Sequence, residues 1–421
     1  MRKVAAAGCA VTLVAVLAAC GGSDSDGSTG GEGSSEVTVW MYPVIADEAA
    51  SKAYWEGLEA DFEAANDDVD LTIELQPWEG RQEQVTTALA SGTGPDIILL
   101  GPDQIPQYVE QGTLAPVDDI VEGSEAELLP NALEALSTDG SVYGVPIYQT
   151  VVTTTYNKAL FDAAGIPELP TTWDDVLAAA PSLAANGVAT LDYPGGPEES
   201  LNLTFYPYLW QAGGQVFSDD GSSVAFDSPE GVEALQFLLD VQAAGGLMPD
   251  VATATSTFEG RGMPTQKAAM TSFTDLAMAV KIAEAVGEEN LVVGAPLEGP
   301  DGQATFGIPG SLTLADKAKD NEGAAAFLSY MLEPDVLAGL AAESGFFPPS
   351  EDIDVPGAHE FAATFKDALP FTDPGPTHPQ ARQVMAILSA QIQAALLGQV
   401  SAEDALKAAA DEANALLGSA G

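Results

Sequence analysis

Two histidines, two cysteines and 63 acidic side chains are what this chain of 421 residues offers to reaction chemistry. His359 and His378 stand without the neighbours that a metal site or a catalytic triad needs, and both cysteines, Cys9 and Cys20, fall in the first twenty residues. No GxSxG elbow, HExxH pair or phosphate-cradling glycine loop occurs. With so many carboxylates, pairs at a hydrolytic separation arise by chance, so acidity alone does not point to glycoside cleavage. What remains is non-covalent capture: aromatic faces pack on C–H groups, while carboxylates and amides exchange hydrogen bonds with hydroxyls. Groups of that kind gather at Trp40 and Tyr42, around Asp103, and at Tyr206, Tyr208 and Trp210.

Such residues need a frame, and the hydrophobic pattern supplies an α/β one. Residues 37–42 read as a first strand, and 52–65 as a helix with Tyr54, Trp55, Leu58 and Phe62 on one face. A second strand over 69–75, a second helix over 81–91, a third strand over 96–100 and a helix from Ile105 follow. Near the end, 379–397 and 401–417 read as two helices, the second capped by Ser401 with Asp404 three residues on. Trp40 and Tyr42 therefore end one strand, while Glu79 and Asp103 follow the next two. In open α/β sheets, ligands sit outside the carboxyl ends of strands, where these residues fall.

The first twenty residues read as a cleaved targeting segment: Arg2 and Lys3, then an apolar run ending in Leu17-Ala18-Ala19-Cys20. That ending resembles a bacterial lipobox, which makes Cys20 the expected lipidation site and puts the protein on the extracytoplasmic face of the cell membrane. Residues 21–36, nearly all Gly, Ser, Asp, Thr and Glu, read as a flexible linker. Beyond the leader no cysteine remains, so neither a disulfide nor a thiolate site is available, and no metal or cofactor is expected. The formal charge of −50 and the scarcity of arginine (Arg81, Arg261 and Arg382 after the leader) exclude a nucleic-acid partner and disfavour anionic ligands. They also predict a strongly hydrated, self-repelling surface.

Several blocks then occur in a telling order: ASGTGPDIILLGPDQIPQYVEQGTLAPVDD, DGSVYGVPIYQTVVTTTYNKALFDAAGIPELPTTWDDVL, GGQVF with FDSPEGVEALQFL, GRGMPTQKAAMTSFTD, and NEGAAAFLSYMLEPDVLAGLAAESGFFPPS. Together they resemble the family 1 extracellular solute-binding proteins of ABC importers, from about Val37 to the end of the chain. The resemblance implies an α/β, two-lobe periplasmic-binding-protein-like fold of type II topology, with a hinge and a ligand cleft between the lobes. It implies one lobe from 37–149 plus 310–335 and a second from 150–309 plus 336–421. The chain is expected to cross near Tyr148-Gln149-Thr150, to return near 306–310, and to cross again after Glu333-Pro334. The implied function is capture of a small carbohydrate by a monomeric, non-catalytic protein that delivers it to a membrane permease. A polyamine or other polar solute is the alternative ligand, and a secreted glycan-active enzyme the alternative class.

Strand-end position, the crowding of aromatics and the same resemblance together put the expected ligand contacts among Trp40, Tyr42, Glu79, Asp103, Gln104, Tyr148, Gln149, Thr150, Tyr206, Trp210, Phe273, Asp275, Phe306 and Arg382. Asp103 matches a carboxylate position on the loop after the third strand. Leu100 stands where some sugar-binding relatives carry tryptophan, Thr150 where a maltodextrin binder carries glutamate, and Phe273-Thr274-Asp275 where relatives place Gly-Pro-Trp. These departures weigh against maltose specificity and leave Phe273 as the substitute stacking ring. Tyr156 and Trp173 read as structural.

Overall fold

The computed structural model describes residues 35–420 apart from 46, 78, 79, 197, 198 and 356–358; the expected leader, its Cys20 and the linker up to residue 34 lie outside the described residues. The first strand, β1 (Ser35–Met41), buries Val37, Val39 and Met41 on one face and turns Thr38 and Trp40 to the other. It pairs in parallel with β2 (Val69–Leu75) and β3 (Ile97–Leu100). Parallel neighbours need crossovers, and the helices α1 (Glu48–Ala65) and α2 (Arg81–Ser91) supply them. α1 opens where the Asp47 carboxylate accepts the Ala50 N–H at 2.8 Å, and it buries Trp55, Leu58 and Phe62. All four residues of β3 are apolar and buried, as a strand covered on both faces requires.

The free edge of β3 is taken by a strand from much later in the chain, Pro309–Ala315, which runs antiparallel to it with Ser311 opposite Leu100. The same strand pairs with Leu114–Ala115 and with Val145–Gln149, closing the first sheet. A second sheet holds Leu291–Gly294, Thr153–Asn157, Ala268–Thr274 and Ala189–Leu191 in that order. Its core includes Trp173 stacked on Phe237 (4.4 Å between centroids, 15° between planes). Trp173 opens its helix behind a full capping box: Thr172 accepts from Asp175 N while the Asp175 carboxylate accepts from Thr172 N. The helices Ala381–Leu396 and Ala402–Ala420 close this core with Val384, Leu388, Leu406 and Ala409. Ser401 accepts from Asp404 N at 3.1 Å at the start of the last helix.

Between the two sheets the chain runs as neighbouring extended segments. Thr150 N donates to Ile308 O at 3.0 Å and Val152 N to Phe306 O at 3.1 Å, while Gln149 and Phe347 exchange backbone bonds of 2.7 and 3.0 Å. The last crossing lies later than the sequence suggested. Pro334 occupies the first turn of the helix Pro334–Ser344, the position where a missing N–H does no harm, rather than ending an element. Leu337 and Leu340 of that helix belong to the first lobe's core, so residues 336–344 belong with it. Two glycines allow the segments to lie this close. A Cβ on Gly307 would meet the Thr150 carbonyl oxygen at 2.3 Å, and one on Gly310 would meet the Tyr148 ring at 1.9 Å.

Candidate functional site

A cleft of about 1110 Å³ opens between the lobes beside these crossings. One wall is the carboxyl end of β3 with the loop Gly101–Pro102–Asp103–Gln104 and the start of α2; the other comes from residues 199–202, 374–379 and the helix Ala381–Leu396. Tyr148, Phe306, Ile308, Pro309 and Gly310 form the floor at the crossings. The site thus sits where open α/β sheets place ligands.

Arg81 fixes the first wall. Its Nη2 donates to the Leu99 carbonyl at 2.7 Å, and its guanidinium carbon lies 4.5 Å from the centroid of the Tyr42 ring, tying α2 to the end of β3. Tyr148 lines the cleft but is buried, its ring stacked on Phe346 at 4.9 Å. Burial pushes its phenol up to about 12, so it serves as a neutral hydroxyl. Asp103 reaches across the cleft toward Arg382, with an Nη2 to Oδ2 separation of 3.9 Å. At 53% and 88% exposure this pair joins the lobes only weakly, by about 0–1 kcal/mol. On the far wall His378 stacks on Phe217 (4.5 Å, 20°), and its Nδ1 accepts the Gln380 N–H at 3.0 Å. Desolvation holds this imidazole below its ordinary value, which leaves Nε2 as its donor. The cleft therefore offers aromatic surface, hydroxyls, amides and both signs of charge. Among the described residues no group of three or more His, Cys, Asp or Glu is placed to hold a metal ion.

Of the expected contacts, the structure brings Asp103, Gln104, Tyr148, Phe306 and Arg382 together in the cleft. Glu79 lies outside the described residues. Trp40 stands in a neighbouring crevice, its Nε1 donating to Glu74 Oε2 at 2.8 Å. The others are elsewhere, each for a packing reason. Tyr42 is wholly buried in the first core beneath Arg81. Gln149 is buried at the hinge, donating to the Thr150 carbonyl. The Thr150 hydroxyl accepts from Ile308 N at 2.9 Å, which makes it a hinge tie rather than a cleft group. Tyr206 and Trp210 sit in the second core, because all six residues of the short helix Tyr206–Gln211 are buried. Phe273 packs edge-on against Tyr208 at 5.1 Å, and Asp275 caps its helix by accepting from Met278 N at 2.7 Å.

Sequence reasoning missed Arg81, Glu83, Gln107, the stretch Glu199–Ser200–Asn202, and the wall Pro374 to Pro379. The run Pro374-Gly-Pro-Thr-His-Pro379 carried a legible signal: a proline-rich loop just before a helix cannot join a sheet and must lie at a surface. No comparable signal marked residues 199–202.

Set against known proteins, residues 45–338 match the family model of the bacterial extracellular solute-binding proteins. A diacetylchitobiose binding protein of Streptomyces coelicolor is 27% identical over 84% of this chain and 83% of that protein. Among solved structures, the cyclic alpha-maltosyl-1,6-maltose binding protein from Arthrobacter globiformis superposes with a TM-score of 0.78 at 25% identity, covering 91% of this chain and 99% of that one. A sugar-binding protein from Xanthomonas citri gives a TM-score of 0.79 at 20% identity, covering 91% and 98%.

Proposed function

This chain belongs to the bacterial extracellular solute-binding proteins, and from that premise we propose that it captures a small carbohydrate in the interlobe cleft and hands it to the permease of an ABC importer. The family and the similar structures are binding proteins, not enzymes. The carrying observation is the make-up of the cleft: Phe306 offers aromatic surface on its floor beside the buried Tyr148, with Asp103, Gln104, Arg382 and Asn202 around them. Sugars need this combination, because their C–H faces seek apolar rings while each hydroxyl needs a donor or acceptor. Relatives named for diacetylchitobiose and for arabinooligosaccharide support the same ligand class.

In this reading Asp103, Gln104, Tyr148, Phe306 and Arg382 contact the ligand, and the protein performs no catalysis of its own. It acts as a monomer, its two lobes joined at the crossings, and is held to the cell membrane through a lipid on Cys20. Glu83, Asp103 and Glu199 line the cleft beside Arg81 and Arg382, so charge does not separate a sugar from a polyamine, and a ligand panel does.

Differential scanning fluorimetry against mono- and oligosaccharides, amino acids and spermidine tests the proposal. A saccharide at one hundred times its Kd should stabilise the fold by about 2.7 kcal/mol and raise the melting temperature accordingly. A response to spermidine alone, or to none of the sugars, would overturn the carbohydrate reading.

A further inference from the structure

Around the first turn of α2 from the cleft lies a smaller crevice of about 480 Å³. Gly80 and Glu83 line both spaces, so the two are contiguous. Trp40 forms part of the crevice wall, half-buried against the first core. Its indole is held in place by a relay of side chains. Trp40 Nε1 donates to Glu74 Oε2 at 2.8 Å, Gln76 Nε2 donates to the same oxygen at 3.1 Å, and Gln84 Nε2 donates to Gln76 Oε1 at 2.8 Å. Gln84 itself lines the crevice, alongside Glu83 and Thr87 on the same helix. The result is an indole wall bordered by a carboxylate, an amide and a hydroxyl, with no cationic side chain among the described lining residues.

That chemistry selects its occupant. An anion meets Glu83, and a purely apolar group leaves the polar rim unpaired. A sugar ring satisfies both parts, with its C–H face on the indole and its hydroxyls on the rim. Because the relay already fixes the indole, little side-chain freedom is lost on binding. We propose that this crevice is an outer saccharide subsite, taking one further sugar residue of an oligosaccharide whose other end lies in the cleft. Trp40 thereby makes the protein selective for chain length. The inference rests on the carbohydrate reading of the cleft.

The test is isothermal titration of the full chain with malto-, chito- and arabino-oligosaccharides from dimer to hexamer. It compares the native protein with Trp40→Ala and with Thr87→Trp, which fills the crevice from an exposed helical position. In the native protein affinity should rise with length, and in both variants the long-to-short affinity ratio should fall roughly tenfold. Should Trp40→Ala fail to fold, Thr87→Trp decides alone. An unchanged ratio, or a fall in a folded Trp40→Ala without one in Thr87→Trp, overturns the subsite and leaves the cleft reading standing. If no saccharide binds the native protein, both fall together.

Discussion

At the scale of single residues, the cleft wall is built around a histidine whose proton matters. Desolvation lowers the His378 imidazole from its ordinary 6.5, so below that pH the unfolded chain binds more protons than the folded one. The stability that the neutral ring contributes is complete above 6.5 and is lost as pH falls from there through the lowered folded value. Protonation also removes the acceptor that Nδ1 offers to Gln380 N. His378→Asn keeps an acceptor without a titration. Its melting temperature should therefore drop less than the native protein's between roughly pH 7 and pH 5, and equal drops would refute the role. Residues of this kind were only partly legible in the sequence. Asp103 could be placed, because a loop after a strand's carboxyl end has one side to face. Tyr206 and Trp210 could not, since a short helix buried on every side has no polar face to reveal its direction. Asp275 was indistinguishable from a ligand acceptor until its capping bond was seen.

At the scale of elements, alternation and crossover spacing made the first three strands and their helices readable within a residue or a few. The closing strand was another matter, because Pro309–Ala315 is buried throughout and its partners lie far away in sequence. The meeting of that strand with the cleft floor explains its glycine. Gly310→Ala would set a methyl group 1.9 Å from the Tyr148 ring, which must then leave its stack on Phe346. Overpacking of this kind destabilises by about 1–3 kcal/mol. The variant should lose that stability in urea and also weaken ligand binding at least several-fold, since Tyr148 lines the cleft. Loss of stability with unaltered affinity would show that the ring's position does not matter to the ligand.

For the whole molecule, a formal charge of −50 means that the surface repels itself, and added salt screens that repulsion. The melting temperature should climb as sodium chloride rises from about 10 mM to about 1 M, a range over which the Debye length shrinks from about 30 to about 3 Å. A flat or falling trend would show that the charge is already dispersed harmlessly. The interleaving of the two lobes has a consequence in time as well as in space. β3 receives its outer neighbour only when Ser311 reaches Leu100, 211 residues further along the chain. At a synthesis rate of ~5–20 residues per second, that leaves four consecutive apolar residues as an open sheet edge for roughly 10–40 s. Open edges of this sort recruit strands from other chains. That edge is therefore an aggregation hazard until the strand Pro309–Ala315, about three quarters of the way along the chain, has come to cover it.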